Sequence, residues 1–262
     1  MQRLLSALAI LGAMLLAAGE AHAGGSLKDT VPLAEAGRCV GGKFAGAYVG
    51  LHLGGGSMRS HQETPSNIGI LSFSDDDGGF TIGEHSGYNV QCGRVLFGIE
   101  SEFNYFHANT SSTLDEECCG GDGFATFKSE MNWFGTLRGR LGLVHNDNLL
   151  IFATGGLAYA KVDHEFIDTG APGGTFSQSD DNTQFGWTVG GGLEFMRDSR
   201  WSLRADALYV DLGSDNRTYV TDGTACQGPC TARISWDDTF WVARVGLTYH
   251  FGREPEAVVP LK

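Results

Sequence analysis

Beyond its first two dozen residues the chain has no apolar run long enough to cross a membrane as a helix, which takes about 20 residues. If the chain sits in a membrane, it must therefore do so as a closed barrel, because an open strand edge in lipid leaves amides unpaired. Basic residues are scarce: 18 Lys and Arg stand against 31 Asp and Glu, a formal net charge of −13. That balance argues against nucleic acid as a partner, since phosphate contact needs a basic face. The acidity reads as solvated loops. A nucleophile elbow, a phosphate loop and a dinucleotide fingerprint are all missing, so the sequence offers no motif for catalysis.

What is present begins with an export signal. Residues 1–23 carry Arg3 at the start, an apolar core over residues 4–18, and Ala21-His22-Ala23 as a small-x-small cleavage site. The segment is set apart from the fold. Residues 24–43 follow as a periplasmic leader without periodicity. The remaining length suits one large β domain or two small ones.

The stretch NWFGTLRGRLGLVHNDNLLIFATGGLAYA, residues 132–160, sets the pattern. Trp133, Gly135, Leu137, Gly139, Leu141 and Leu143 share one face. Asn132, Phe134, Thr136, Arg138, Arg140 and Gly142 share the other. Period-two alternation is the strand signature. An apolar face opposite a face with two arginines fits a lipid-facing exterior and a polar lumen. His145-Asn146-Asp147-Asn148 makes the turn. The strand that follows, residues 149–160, has no charge.

The same alternation predicts strands over residues 44–56, 79–91, 94–108, 183–195, 201–212 and 240–251. Long polar loops are expected at 57–78, 109–123, 161–181 and 213–235, separated by short turns. The expected fold is all-β: an eight-stranded antiparallel up-and-down transmembrane β-barrel over residues 44–251, with four long outer loops and short periplasmic turns. Residues 252–262 form a periplasmic tail. Trp133, Tyr159, Trp187, Trp201, Tyr209, Trp241 and Tyr249 gather at strand ends on the apolar face, as interfacial girdles would.

Inward positions carry Glu100, Glu102, Glu194 and Asp206 together with Arg138, Arg140, Arg204 and Arg244. Charges in a narrow barrel need partners to offset desolvation. Adjacent strands suggest two groups, Glu100 and Glu102 with Arg138 and Arg140, and Glu194 and Asp206 with Arg204 and Arg244. About eight strands leave an interior that side chains can fill, so a plugged lumen is expected.

Residues 44–50 (FAGAYVG), 87–91 (GYNVQ), 97–100 (FGIE), 133–142 (WFGTLRGRLG), 149–160 (LLIFATGGLAYA) and 244–251 (RVGLTYHF) resemble the small outer-membrane β-barrel family of alphaproteobacteria, related to the OmpA-like transmembrane barrel group. The resemblance covers nearly all of the chain after the leader. It implies a cell outer-membrane location after export through the secretory pathway, an eight-stranded barrel, and envelope-structural or porin-like roles. It implies no catalytic residues. The chain departs from the family pattern in two places. The terminal aromatic Phe251 is followed by GREPEAVVPLK, and cysteines are present.

Those cysteines are Cys39, Cys92, Cys118, Cys119, Cys226 and Cys230. An exported chain meets an oxidising compartment, so disulfides are the default. Cys39 and Cys92 both map to the periplasmic rim on adjoining strands and are expected to pair. The other four map to the outer side, where either two loops are cross-linked or Cys226–Cys230 closes its own ring. Four thiolates could hold zinc, but the compartment and the uneven spacing count against it. The acidic groups at Asp75, Asp76 and Asp77, at Asp180 and Asp181, and at Asp237 and Asp238 map to outer strand ends and read as solvated tips. Divalent ions shared with lipopolysaccharide phosphates are the sharper reading, without calcium-loop spacing to support it.

His52, His61, His85 and His107 map near the outer rim, none in a nucleophile context. The expectation is a non-enzymatic surface protein without cofactor or metal. Its partners would be membrane lipid, lipopolysaccharide, the barrel-assembly machinery and an extracellular ligand of unidentified chemistry. A small porin is the alternative, and an outer-membrane enzyme a distant third.

Overall fold

The computed structural model describes Cys39 and residues 41–66, 69–116, 123–168, 176–197, 200–221 and 230–251. Residues 1–23, nearly all of the leader and the tail 252–262 lie outside the described residues. The strands are β1 (Gly46–Ser66), β2 (Gly69–Cys92), β3 (Val95–Glu116), β4 (Gly123–His145), β5 (Leu149–Asp168), β6 (Phe176–Phe195), β7 (Trp201–Thr221) and β8 (Cys230–His250). Each pairs antiparallel with its neighbours in sequence, and β8 returns to β1 to close the barrel. No helix occurs among the described residues.

Alternation decides which way each residue faces. On β1, Leu51 is 68% exposed while the next residue, His52, is 4% exposed. Leu137 and Leu141 on β4 and Leu203 on β7 look outward, and Arg138, Arg140 and Arg204 between them look inward. Such an apolar exterior is stable only where lipid covers it. Outer aromatics meet at both ends of this band. Tyr249 contacts both Trp201 and Phe251 near the short turns. At the other end Trp133 contacts both Phe103 and Tyr159, and Trp187 contacts Tyr209. Trp201 and Tyr209 stand about 26 Å apart along β7 at ~3.3 Å per residue, on the order of the ~25 Å apolar band.

The strands run 20 to 24 residues, whereas spanning a bilayer takes only about 9–11. Most of each stretch expected as a long loop is therefore paired strand. β1 and β2 stay in register from Gly46↔Asn89 to Ser66↔Gly69, straight through the expected loop at 57–78. Polar residues on both faces hid this ladder from the alternation test, while the backbone pairing does not depend on it.

The outer half is not a closed cylinder. Pairing between β2 and β3 stops at Phe80↔His107, and pairing between β6 and β7 stops at Trp187↔Asp211. Beyond those points the strands form two sheets, β7-β8-β1-β2 and β3-β4-β5-β6, each still paired internally. The Asp211/Ser214 irregularity on β7 begins where β6 and β7 part, and Gly213 there has φ 71, a left-handed backbone that glycine adopts without steric cost. The β4–β5 turn likewise uses Asn146 and Asp147 at φ 50 and 58, residue types that tolerate that region.

One face assignment changes. Asn132 does not share the inward set with Phe134. It is the extra residue of a bulge between Met131 and Trp133, and Met131 takes the inward place, fully buried.

Candidate functional site

The interior is built in layers along the barrel axis. Nearest the short turns lies an apolar layer of Phe44, Leu96, Val144, Leu150, Phe152 and Met196. Above it sit the charged residues. A second apolar layer follows, including Met58, Phe106, Met131, Phe134, Val162, Val210 and Phe240. A polar layer of Ser60, Ser129, His164, Gln184 and Asp238 lies between the two outer sheets.

In the charged layer, Arg138 donates through Nη2 to Glu100 Oε1 at 2.6 Å and to Glu102 Oε2 at 2.7 Å. Arg204 donates to both oxygens of Glu100, with Nη2 to Oε1 at 2.9 Å. Arg244 donates to Asp206 Oδ2 at 2.5 Å and lies 3.0 Å from Glu102 Oε2. Arg140 bonds Glu194 and stands 3.8 Å from Glu100. All eight side chains are buried. The two groups expected from strand adjacency are thus one network. The Arg204–Glu100 pair joins β7 to β3, and Arg140–Glu194 joins β4 to β6, because a barrel this narrow lets arginine reach across the lumen as well as along the wall. Isolated, these charges would be too costly to bury; four of each sign within hydrogen-bond reach offset one another.

Neutral and aromatic groups complete the layer. Tyr48 donates to Glu100 at 2.8 Å, and Ser202 donates to Glu194 at 2.6 Å. His250 Nε2 lies 2.7 Å from the same Glu194 oxygen. The guanidinium of Arg140 sits over the Phe152 ring at 3.9 Å, a cation–π contact that seats the network on the lower apolar layer. Gly87, directly across from Tyr48 in the ladder, leaves the room that the phenol ring occupies.

His52 and His85 are not at the outer rim. They stack at 5.3 Å inside the charged region, with His52 against Asn104 and His85 against Thr248. His61 and His107 do lie on the outer half of their strands. Asp238 is not a solvated tip either. β8 begins at Cys230, so Asp238 falls on an inward position, fully buried, where Ser60 donates to it at 2.7 Å and Gln184 at 3.2 Å.

Ser129, His164 and Asp238 form a chain that sequence reading missed. Ser129 Oγ is 2.9 Å from His164 Nδ1, and His164 Nε2 is 3.3 Å from Asp238 Oδ2. Serine, histidine and aspartate make up a hydrolytic triad, yet all three are at most 1% exposed. Their backbones lie in the strand ladder, whereas acyl transfer needs a reachable nucleophile and free amide donors. His164 fell in a segment read as a loop, and continuing the inward parity of β5 past residue 160 reaches it, whereas Ser129 lies beyond the bulge at Asn132, which moves the inward set of β4 from even to odd positions.

Cys39 and Cys92 form a disulfide at the rim of the short turns. Cys118, Cys119 and Cys226 lie outside the described residues, and Cys230 opens β8. Among the described residues no group of three or more His, Cys, Asp or Glu is placed to hold a metal ion.

A closed antiparallel barrel with an apolar exterior and its charges paired within is an integral outer-membrane protein. Residues 7–251 match the family described as outer membrane protein beta-barrel domain, and the chain belongs to that family. It is 33% identical over 215 residues to the 31 kDa outer-membrane immunogenic protein of Brucella melitensis, covering 79% of this chain and 84% of that one. It is 29% identical over 174 residues to the 22 kDa outer membrane protein of Rhizobium leguminosarum bv. viciae, covering 66% of this chain and 68% of that one. Among solved structures, the outer membrane protein OprG from Pseudomonas aeruginosa superposes with a TM-score of 0.48 at 14% identity, covering 80% of this chain and 98% of that one. The protein's place is the cell outer membrane.

Proposed function

We propose that this is a structural and surface-interaction protein, not an enzyme, whose lumen is closed to solutes. The observation that carries the reading is the charged network bracketed by two apolar layers. A solute crossing the barrel would have to displace aromatic rings twice and break buried ion pairs between them. The long paired strands beyond the membrane supply a rigid display for surface contacts. Export through a cleaved signal at residues 1–23, insertion by the barrel-assembly machinery, and contact with lipid and lipopolysaccharide belong to the same proposal.

The test is a planar-bilayer recording of the refolded full chain. The reading expects no steady nanosiemens-scale conductance. Steady conductance at that scale would make the protein a small porin instead.

A further inference from the structure

The lipid-facing wall carries one polar patch. Along β2 the outward residues run Phe80, Ile82, Glu84, Ser86, Tyr88 and Val90, so a carboxyl and a hydroxyl stand in the middle of an apolar stripe. Ser101 on β3 also faces outward, between Ile99 and Phe103. The ladder gathers the three. Ser86 lies directly opposite Ser101, and Glu84, opposite Phe103, is a diagonal neighbour of Ser101. Leu51 on β1 borders Glu84 on its other side. Among the described residues, every other outward position between the two aromatic girdles is apolar, aromatic or glycine. Acyl chains offer no hydrogen bond, and a lipid-facing charge weakens a barrel. Lipid headgroups lie at the edges of the band and not at this depth. The patch is therefore built for a polar cover that comes from within the membrane.

We propose that Glu84, Ser86 and Ser101 form the contact through which a second copy of this chain docks in the plane of the membrane, the carboxyl of each copy accepting from the serine hydroxyls of the other. Two features select a second copy. The patch is self-complementary, one acceptor group beside two hydroxyl donors, and a two-fold interface requires that the same surface serve both sides. Copies inserted with the same orientation also present the patch at the same depth, so donors and acceptors meet without either barrel shifting in the bilayer. Polar side chains hold membrane-embedded segments together in this way because lipid gives them no alternative partner. Leu51, Ile82, Ile99 and Phe103 surround the patch and would pack around the hydrogen bonds. Confinement to β2 and β3 closes the assembly at two copies. This inference goes beyond the surface-interaction reading and does not depend on a closed lumen.

The full chain, labelled at its amino terminus with a fluorescence donor or acceptor, is reconstituted in phosphatidylethanolamine–phosphatidylglycerol vesicles over a range of protein-to-lipid ratios. Energy transfer should rise with the ratio and saturate at a stoichiometry of two. Glu84→Leu should need about a tenfold higher ratio for half-maximal transfer, and so should Ser86→Ala combined with Ser101→Ala. Glu84→Gln, which keeps an acceptor oxygen, should stay near the unaltered chain. These side chains point away from the interior, so heat-modifiable migration on a gel should be unchanged and shows that each variant is folded. Equal transfer by the Glu84→Leu chain would overturn the role of the patch. Transfer that grows with density without saturating would overturn a two-fold contact. In whole outer membranes, a benzoylphenylalanine in place of Ile82 should cross-link to a product of twice the chain's mass. A product with a different protein, or with lipid alone, would overturn the second copy as occupant. None of these outcomes bears on conductance, so failure here leaves the closed-lumen reading standing.

Discussion

Arg204 on β7 donates to both carboxylate oxygens of Glu100 on β3, spanning the lumen between strands that share no ladder. Glu100 also receives Arg138 and Tyr48, so one carboxylate gathers donors from β1, β4 and β7. That makes it the hub of the interior, and a barrel with this cross-strut resists ovalisation in a way that wall hydrogen bonds do not. Glu100→Gln keeps the shape and removes the charge. Arg138 keeps Glu102 and Arg204 keeps a 3.4 Å contact with Asp206, but both lose their strongest partner. Breaking a buried pair in this way costs about 3–5 kcal/mol. Urea unfolding in lipid vesicles should show that loss. The double variant E100Q/R204M should cost less than the sum of the two singles. Strict additivity would mean that the pair is not coupled.

The Cys39–Cys92 disulfide closes a loop of 53 residues in sequence separation that contains all of β1 and of β2, which ends at Cys92. Constraining a loop of that length lowers the entropy of the unfolded chain, by about 4 kcal/mol in the chain-entropy account. Cys39→Ser should therefore lower the unfolding midpoint while leaving the folded spectrum unchanged. On a gel of the non-reduced, unheated protein, the folded band should persist in the variant but disappear at lower temperature. An unchanged midpoint would show that the bond does not contribute through the unfolded chain.

How much of this was legible in the residues depends on where lipid imposes a pattern. Between Trp201 and Tyr209, or between Leu137 and Leu143, every second side chain must be apolar, so strand, face and lumen set could be read directly. Above the aromatic girdle that constraint ends. Residues 57–66 and 69–78 are paired throughout, yet their composition, with Asp75-Asp76-Asp77-Gly78-Gly79, reads as turn. His164 was lost in the same way with the segment 161–181, and Ser129 was hidden by the bulge at Asn132, which reverses the inward parity of β4. Register across the lumen was also hidden. Strand adjacency groups Arg140 with Glu100 and Glu102, whereas its bond is to Glu194, because which residues meet across a barrel depends on strand stagger, and that is not a local property.

Asp238 ties the two outer sheets together. It stands on β8, accepts from Ser60 on β1 and from Gln184 on β6, and lies beside His164 on β5. Asp238→Ala would take the carboxylate from those buried donors, leaving Ser60 only its 3.3 Å contact with Ser129 and Gln184 only its 3.1 Å contact with His164, at a cost of about 1–3 kcal/mol. The loss should be local. Hydrogen exchange should quicken in the outer halves of β5, β6 and β8 while the charged layer stays protected. Asp238→Asn, which keeps acceptor oxygen, should recover part of it. If Ser129 were instead a working nucleophile, a fluorophosphonate probe would label it in the folded protein. The sealed geometry expects labelling only after unfolding.

The two apolar layers act in series, and this gives the sharpest test of the closed lumen. Phe106, Phe134 and Phe240 meet ring to ring in the upper layer, with centroids 4.9 to 6.1 Å apart. Phe152 underlies Arg140 and Arg204 in the lower one. Phe134→Ala removes one ring of three and should destabilise the barrel by about 3–5 kcal/mol. It should not conduct, because the ion pairs and the lower layer remain. Phe152→Ala alone should likewise stay silent, with a larger effect on the network, since two guanidiniums lose their aromatic seat. Trimming Phe134 and Phe152 together and neutralising Glu194 with glutamine leaves neither layer intact and frees Arg140 from its partner. Only that combination should admit small anions, seen as anion-selective current in a planar bilayer. Current from either single variant would mean that one layer, not the pair, holds the barrel shut.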